Sequence, residues 1–138
     1  MAISKVKREQ IRNKFGGLCA YSGTVLKDDW QVDHIQPKLL YNLGLTEGHP
    51  DSLYNLVPCQ RIINHYKRAL SLEEFRGWYI KGLHVRLKKL PKTPRTARSI
   101  RRKEYLEEVA LLFGITKDVP FTGQFYFETL PYNDIILK

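Results

Sequence analysis

Three short polar clusters set in otherwise apolar sequence constrain this chain most: Val32-Asp33-His34-Ile35-Gln36-Pro37, then Asn55-Leu56-Val57-Pro58, then Asn64-His65-Tyr66-Lys67. For them to act together, the fold has to bring them to one place. The adjacent Asp33 and His34 set a hard oxygen ligand beside a group that takes up a proton near neutral pH, and Asn55 and Asn64 add neutral side-chain carbonyls. These are parts from which metal-assisted attack on a phosphodiester is assembled.

Local signals predict an α+β chain. Ser4 caps a short basic helix over 4–15, with Ile11 and Phe15 on one face, and Gly16-Gly17 stops it. Thr24 to Ile35 reads as two short strands joined around Lys27-Asp28-Asp29, ended by Pro37. Residues 38–54 hold many turn formers and no periodicity, so they read as a long loop joining the two halves of the cluster set. Pro58 suits the first turn of a helix whose stripe is Leu56, Cys59, Ile63, Tyr66 and Leu70, leaving Asn64 and Lys67 to face the strand pair. Ser71 with Glu74 forms a capping box for a helix running to about Leu90, and Pro91 and Pro94 break the pattern. Ile100 to Phe113 is again helical, with Gly114 at its C-cap. The segment 120–130, PFTGQFYFETL, is β-prone and reads as a hairpin or edge strand.

Charge is unevenly placed. Residues 81–103 hold ten Lys or Arg and no Asp or Glu, so this block alone outweighs the net charge of +9. A polyanion such as DNA or RNA would gain counterion-release energy along it, and Lys88, Lys89, Lys92, Arg95, Arg98, Arg101 and Arg102 are its contact candidates, with Lys67 and Arg68 from the helix before. No apolar run approaches the roughly 20 residues that span a bilayer, so no membrane association is expected. The N-terminal MAISKVKREQ lacks the apolar stretch of a signal peptide and two Cys make no disulfide framework, so the expected compartment is the cytoplasm.

The order D-H-I-x-P, N-L-V-P, then N-x-x-K beginning nine residues after the first Asn resembles the HNH endonucleases, the ββα-metal family. The resemblance spans residues 13–80, opening with GGLCAYSG and closing with LSLEEF. It implies a small ββα-metal core with flanking helices in residues 1–80 and a basic helical extension with a β-prone tail in 81–138, packed on the core. It further implies hydrolysis of DNA phosphodiester bonds with one Mg²⁺ or Mn²⁺ ion. In these roles His34 is the general base, Asn55 holds the active-site loop, and Asp33 and Asn64 are metal ligands, with His65 the alternative ligand.

Adjacent strand residues point to opposite faces, so Asp33 and His34 are expected at a distorted strand end. The chain departs from the family where zinc is concerned: Cys19-x-x-Ser22 replaces one Cys pair, and Gln60 and Ile63 stand at the other. No structural zinc is expected, and Cys19 and Cys59 read as small buried hydrophobes. Double-stranded DNA is the expected partner, with a two-fold homodimer as the means of cutting both strands. The alternatives are a catalytically silent nucleic-acid-binding module and an RNase of the same fold.

Overall fold

The computed structural model describes residues 3–131. Helices surround one two-stranded antiparallel sheet, an α+β architecture. Helix α1 (Lys5–Asn13) starts where Ser4 Oγ accepts from the Lys7 N–H at 3.1 Å. It ends before Gly16 and Gly17, whose φ angles of 63° and 85° suit residues without a Cβ. Its Ile11 is fully buried, while Arg8 lies over the Trp30 ring at 3.9 Å and donates to the Trp30 carbonyl.

Strand β1 (Gln31–His34) pairs with β2 (Leu56–Cys59), matching Asp33 with Val57 and His34 with Leu56. This corrects the predicted hairpin within Thr24 to Ile35, since Val25 makes only an isolated bridge to Leu18. It also moves the helix start past Pro58. Helix α3 (Arg61–Lys67) begins two residues beyond the end of the four buried residues of β2. Proline is tolerated in this strand because its carbonyl points outward and accepts from the Ala20 N–H at 2.9 Å. In a strand the nitrogen points the same way, so the missing N–H falls on the side away from β1.

The long connection holds one short helix, α2 (Lys38–Asn42). The capping box at Ser71 forms as predicted, but the helix it opens does not run on unbroken. Helix α4 (Leu72–Glu74) widens into a π-helical turn over Phe75–Ile80, where the Lys81 N–H reaches the Arg76 carbonyl, and α5 (Leu83–Lys89) restarts after Gly82. The wider turn buries both Phe75 and Ile80. Helix α6 (Ala97–Leu112) is capped by the Thr96 hydroxyl and followed by Gly114 at φ 70°.

The aromatic segment near the end forms a 3₁₀ turn, Tyr126–Thr129, rather than a strand. Its backbone docks on the loop after α1, with Tyr126 N–H to the Tyr21 carbonyl at 3.0 Å and Phe127 N–H to the Ala20 carbonyl at 2.9 Å. Phe125 is fully buried, stacked on Phe75 with 5.6 Å between centroids, and Arg76 forks onto Glu128. Tyr126 lies so close to Gly23 that a Cβ there would meet its ring at 2.8 Å, at a φ of 73° that already favours glycine. These contacts join the segment after α6 to the same core as the first half of the chain. The rest of the expected extension, residues 132–138, lies outside the described residues.

Where the resembled family carries Cys pairs, Gln60 laces the loop to β2. Its amide nitrogen donates to the Thr24 hydroxyl at 3.0 Å and the Val25 carbonyl at 2.8 Å, and its oxygen accepts from the Lys27 N–H at 3.2 Å. Gln60 is 2% exposed, and both cysteines beside it are buried and free. Gln60→Ala removes three part-buried hydrogen bonds at once and is expected to cost about 1–3 kcal/mol in urea unfolding.

Candidate active site

The three polar clusters meet at the end of β1. Helix α3 lies over one side of the strand: Asn64 Nδ2 donates to Gln31 Oε1 at 2.7 Å, and Lys67 Nζ sits 3.1 Å from Asp33 Oδ2. Gln31 and Asp33 are two apart in β1, and Asn64 and Lys67 are three apart on α3, so strand and helix periodicities present matching pairs. That much follows the predicted placement. The nucleic-acid contact also expected of Lys67 does not: the side chain is 1% exposed and donates to the His34 carbonyl at 2.9 Å as well. It is a structural cation, pinning α3 to the strand beneath.

Asp33 Oδ2 accepts from the Tyr21 hydroxyl at 2.5 Å as well. Burial pushes the Asp33 carboxyl above its usual range, against the pull of Lys67 and Tyr21. No hydrogen bond among the described residues ends on Asp33 Oδ1 or on Asn64 Oδ1. Each residue therefore keeps one hard oxygen without a protein partner, and these are the atoms that could serve as ligands in an open divalent-cation site completed by water and phosphate oxygens. No group of three or more His, Cys, Asp or Glu gathers into a metal cluster among the described residues. His65, the alternative ligand, is on another side of α3, where its Nδ1 pairs with the Tyr105 hydroxyl at 2.7 Å.

His34 is engaged on the other side of the strand, by the loop. Its Nε2 lies 2.8 Å from Asp51 Oδ1, a partner that the sequence marked only as a turn former. The hydrogen bond from His34 holds the Asp51 carboxyl below its ordinary range. With Asp51 ionised, Nε2 carries the proton and donates, and in the neutral ring that leaves the lone pair on Nδ1. The pairing needs no distortion of β1, contrary to expectation. The ladder stays in register through His34 and continues into an Ile35 N–H to Asn55 carbonyl bond at 2.9 Å.

Asn55 and α1 hold Asp51 in place. Asn55, 3% exposed, accepts from the Gln36 N–H and donates to the Gln36 and Pro50 carbonyls, all at 2.9 Å. Lys7 Nζ donates to the Asp51 carbonyl at 2.8 Å, and Lys14 Nζ to the carbonyls of Leu53 and Leu56 at 2.5 and 3.0 Å. Burial lowers the Lys14 ammonium to about 8. Both Lys7 and Lys14 read in the sequence only as basic surface of α1, because their carbonyl partners lie more than thirty-five residues away.

Arg68, Lys88, Lys89, Lys92, Arg95, Arg98, Arg101 and Arg102 are exposed, as a polyanion-binding surface requires. No helix of the described residues is long and apolar enough to cross a membrane.

Replacing Lys67 with Met strands a buried carboxylate, and Lys67→Met is expected to lower stability by about 3–5 kcal/mol. The added change Asp33→Asn should return part of that loss, read as coupling in a double-mutant cycle of urea unfolding. Scans against protein-family models, curated proteins and solved structures return no significant match to this chain.

Proposed function

We propose that the chain is a metal-dependent endonuclease of the HNH type that hydrolyses DNA phosphodiester bonds. The observation that carries this reading is the His34–Asp51 pair at the end of β1, across the strand from the free oxygens of Asp33 and Asn64. On this reading a phosphodiester over the end of β1 has to meet both sides of the strand. His34 Nδ1 takes the proton of an attacking water, while Asp51 holds the ring in that tautomer and stabilises the imidazolium that forms. Asn55 keeps Asp51 and the backbone at Gln36 in position. Asp33 and Asn64 would hold the Mg²⁺ or Mn²⁺ ion, which when bound supplies stabilisation of charge on the phosphate and the leaving oxygen. The exposed cations of residues 81–103 would hold the DNA backbone without specifying sequence.

A second reading, a catalytically silent nucleic-acid-binding module, has one observation in its favour. The Lys67 ammonium already neutralises Asp33, supplying at that carboxylate the positive charge a metal would bring. Plasmid cleavage separates the two. Wild type with Mg²⁺ or Mn²⁺ should nick or linearise supercoiled plasmid, EDTA should abolish this, and His34→Ala should cut at least 10²-fold more slowly while still binding. An intact plasmid with every metal selects the silent module, and cleavage of RNA in preference to DNA selects the RNase.

Asp51→Asn tests the positioning role. It should lower kcat by about 10–100-fold with KM little changed, as loss of an orienting partner does. Because the Asp51 carboxyl is held down in the folded state, the pair adds stability at neutral pH and loses it as pH falls through that lowered value. The Tm difference between wild type and Asp51→Asn should therefore be constant above about pH 5 and shrink below about pH 4.

A further inference from the structure

On the side of α3 where His65 meets Tyr105 runs a groove that the cleavage site does not use. One hollow of about 240 Å³ is lined by Arg68, Arg86 and Arg102 together with Tyr66, Tyr79 and Tyr105. A second of about 290 Å³ shares Arg86 and Arg102 and adds Lys89. Neither hollow has an Asp or Glu in its wall. Among the described residues, no ion pair engages any of these four cations.

Arg86 is tied down by neutral groups alone, the Tyr66 hydroxyl and the carbonyls of Trp78 and Tyr79, and its Nε is buried with no partner. Its charge is thus held in place and uncompensated. Arg68 caps α3 at a φ of 56°, a conformation that glycine adopts with less strain, yet a cation stands there. Arg102 and Lys89 extend the same positive wall outward from α6 and α5.

Four cations along a narrow groove with three tyrosines between them match what a flexible single strand needs: a positive track for its phosphates and aromatic rings for its bases. A duplex keeps its bases stacked inside and cannot use the rings. We propose that this groove binds one unpaired strand of nucleic acid, with phosphates on Arg68, Arg102 and Lys89 and bases against the tyrosine wall. The proposal takes the polyanion from the reading above but does not depend on cleavage.

The test is anisotropy titration of a labelled single-stranded oligonucleotide and its duplex, in EDTA, over a series of salt concentrations. Arg68→Gln with Arg102→Gln is compared with a charge-matched control outside the basic block, Lys5→Gln with Lys117→Gln, all four positions being exposed. Relative to the control, the groove variant should bind the single strand on the order of tenfold more weakly at 0.1 M salt. The slope of log affinity against log salt should become shallower by roughly 1.4, the loss of two single-strand phosphate contacts. Duplex affinity should fall less. Tyr105→Leu, which removes no charge, should weaken single-strand binding while leaving the salt slope in place. Single-strand affinity equal to the control's, or an equal loss for strand and duplex, overturns the proposal. Plasmid cleavage is read separately in Mg²⁺, so a wild type that binds strand without cutting counts against the nuclease reading alone.

Discussion

Lys67 and Asp33 form the ion pair on which the site depends, because one ammonium closes two contacts at once and links to a third through its partner. It reaches the Asp33 carboxylate, the His34 carbonyl and, through Asp33, the Tyr21 hydroxyl, so α3, β1 and the loop after α1 share one anchor. Such a pair loses hydration on both sides, and its geometry must be good to offset that loss. Here the same oxygen of Asp33 that meets the ammonium also accepts from a phenol, and Tyr21 is itself packed edge-on against Phe75, Phe125 and Phe127. The aromatic segment near the end of the chain therefore bears on the site through one tyrosine.

The second constraint is the loop that carries Asp51. A connection of this length would ordinarily be mobile, yet its polar backbone is tied at several points by Asn55, Lys7 and Lys14. Fixing the backbone fixes Asp51, and Asp51 fixes the tautomer of His34. In this arrangement Lys7 of α1 and Lys14 at its C-cap act as hydrogen-bond donors to carbonyls rather than as surface charge. That is why the first helix belongs to the site although none of its side chains reaches His34 or Asp33.

Positive charge is divided between two duties. Lys7, Lys14 and Lys67 face inward and serve the fold, whereas Lys88 and Lys89 of α5 and Arg98, Arg101 and Arg102 of α6, with Arg68, face outward. Net charge alone cannot make this distinction, since an ammonium counts the same whether it meets a carbonyl or water. The outward set is what a polyanion would meet, and the groove between α3, α5 and α6 concentrates part of it beside tyrosine rings.

The sequence by itself determined the local features: the Ser4 cap, the capping box at Ser71, the glycine after α6, and the pairing of Asn64 and Lys67 on one helical face. Each follows from residues within about one turn, where propensity and hydrogen-bond reach decide. Tertiary structure alone decided that Leu56–Cys59 is a strand, because a four-residue apolar run fits a period of two or of 3.6 equally well until β1 supplies a partner. The same holds for the break at the π-helical turn, set by burial of Phe75 and Ile80, and for the tail, where aromatic β-propensity gave way to docking on Tyr21 and Ala20. Asp51 beside His34 and Lys67 beneath Asp33 join residues 17 and 34 apart in sequence. Local pattern carries no information about which distant group will meet a buried charge, because that is settled only when the core closes and water leaves.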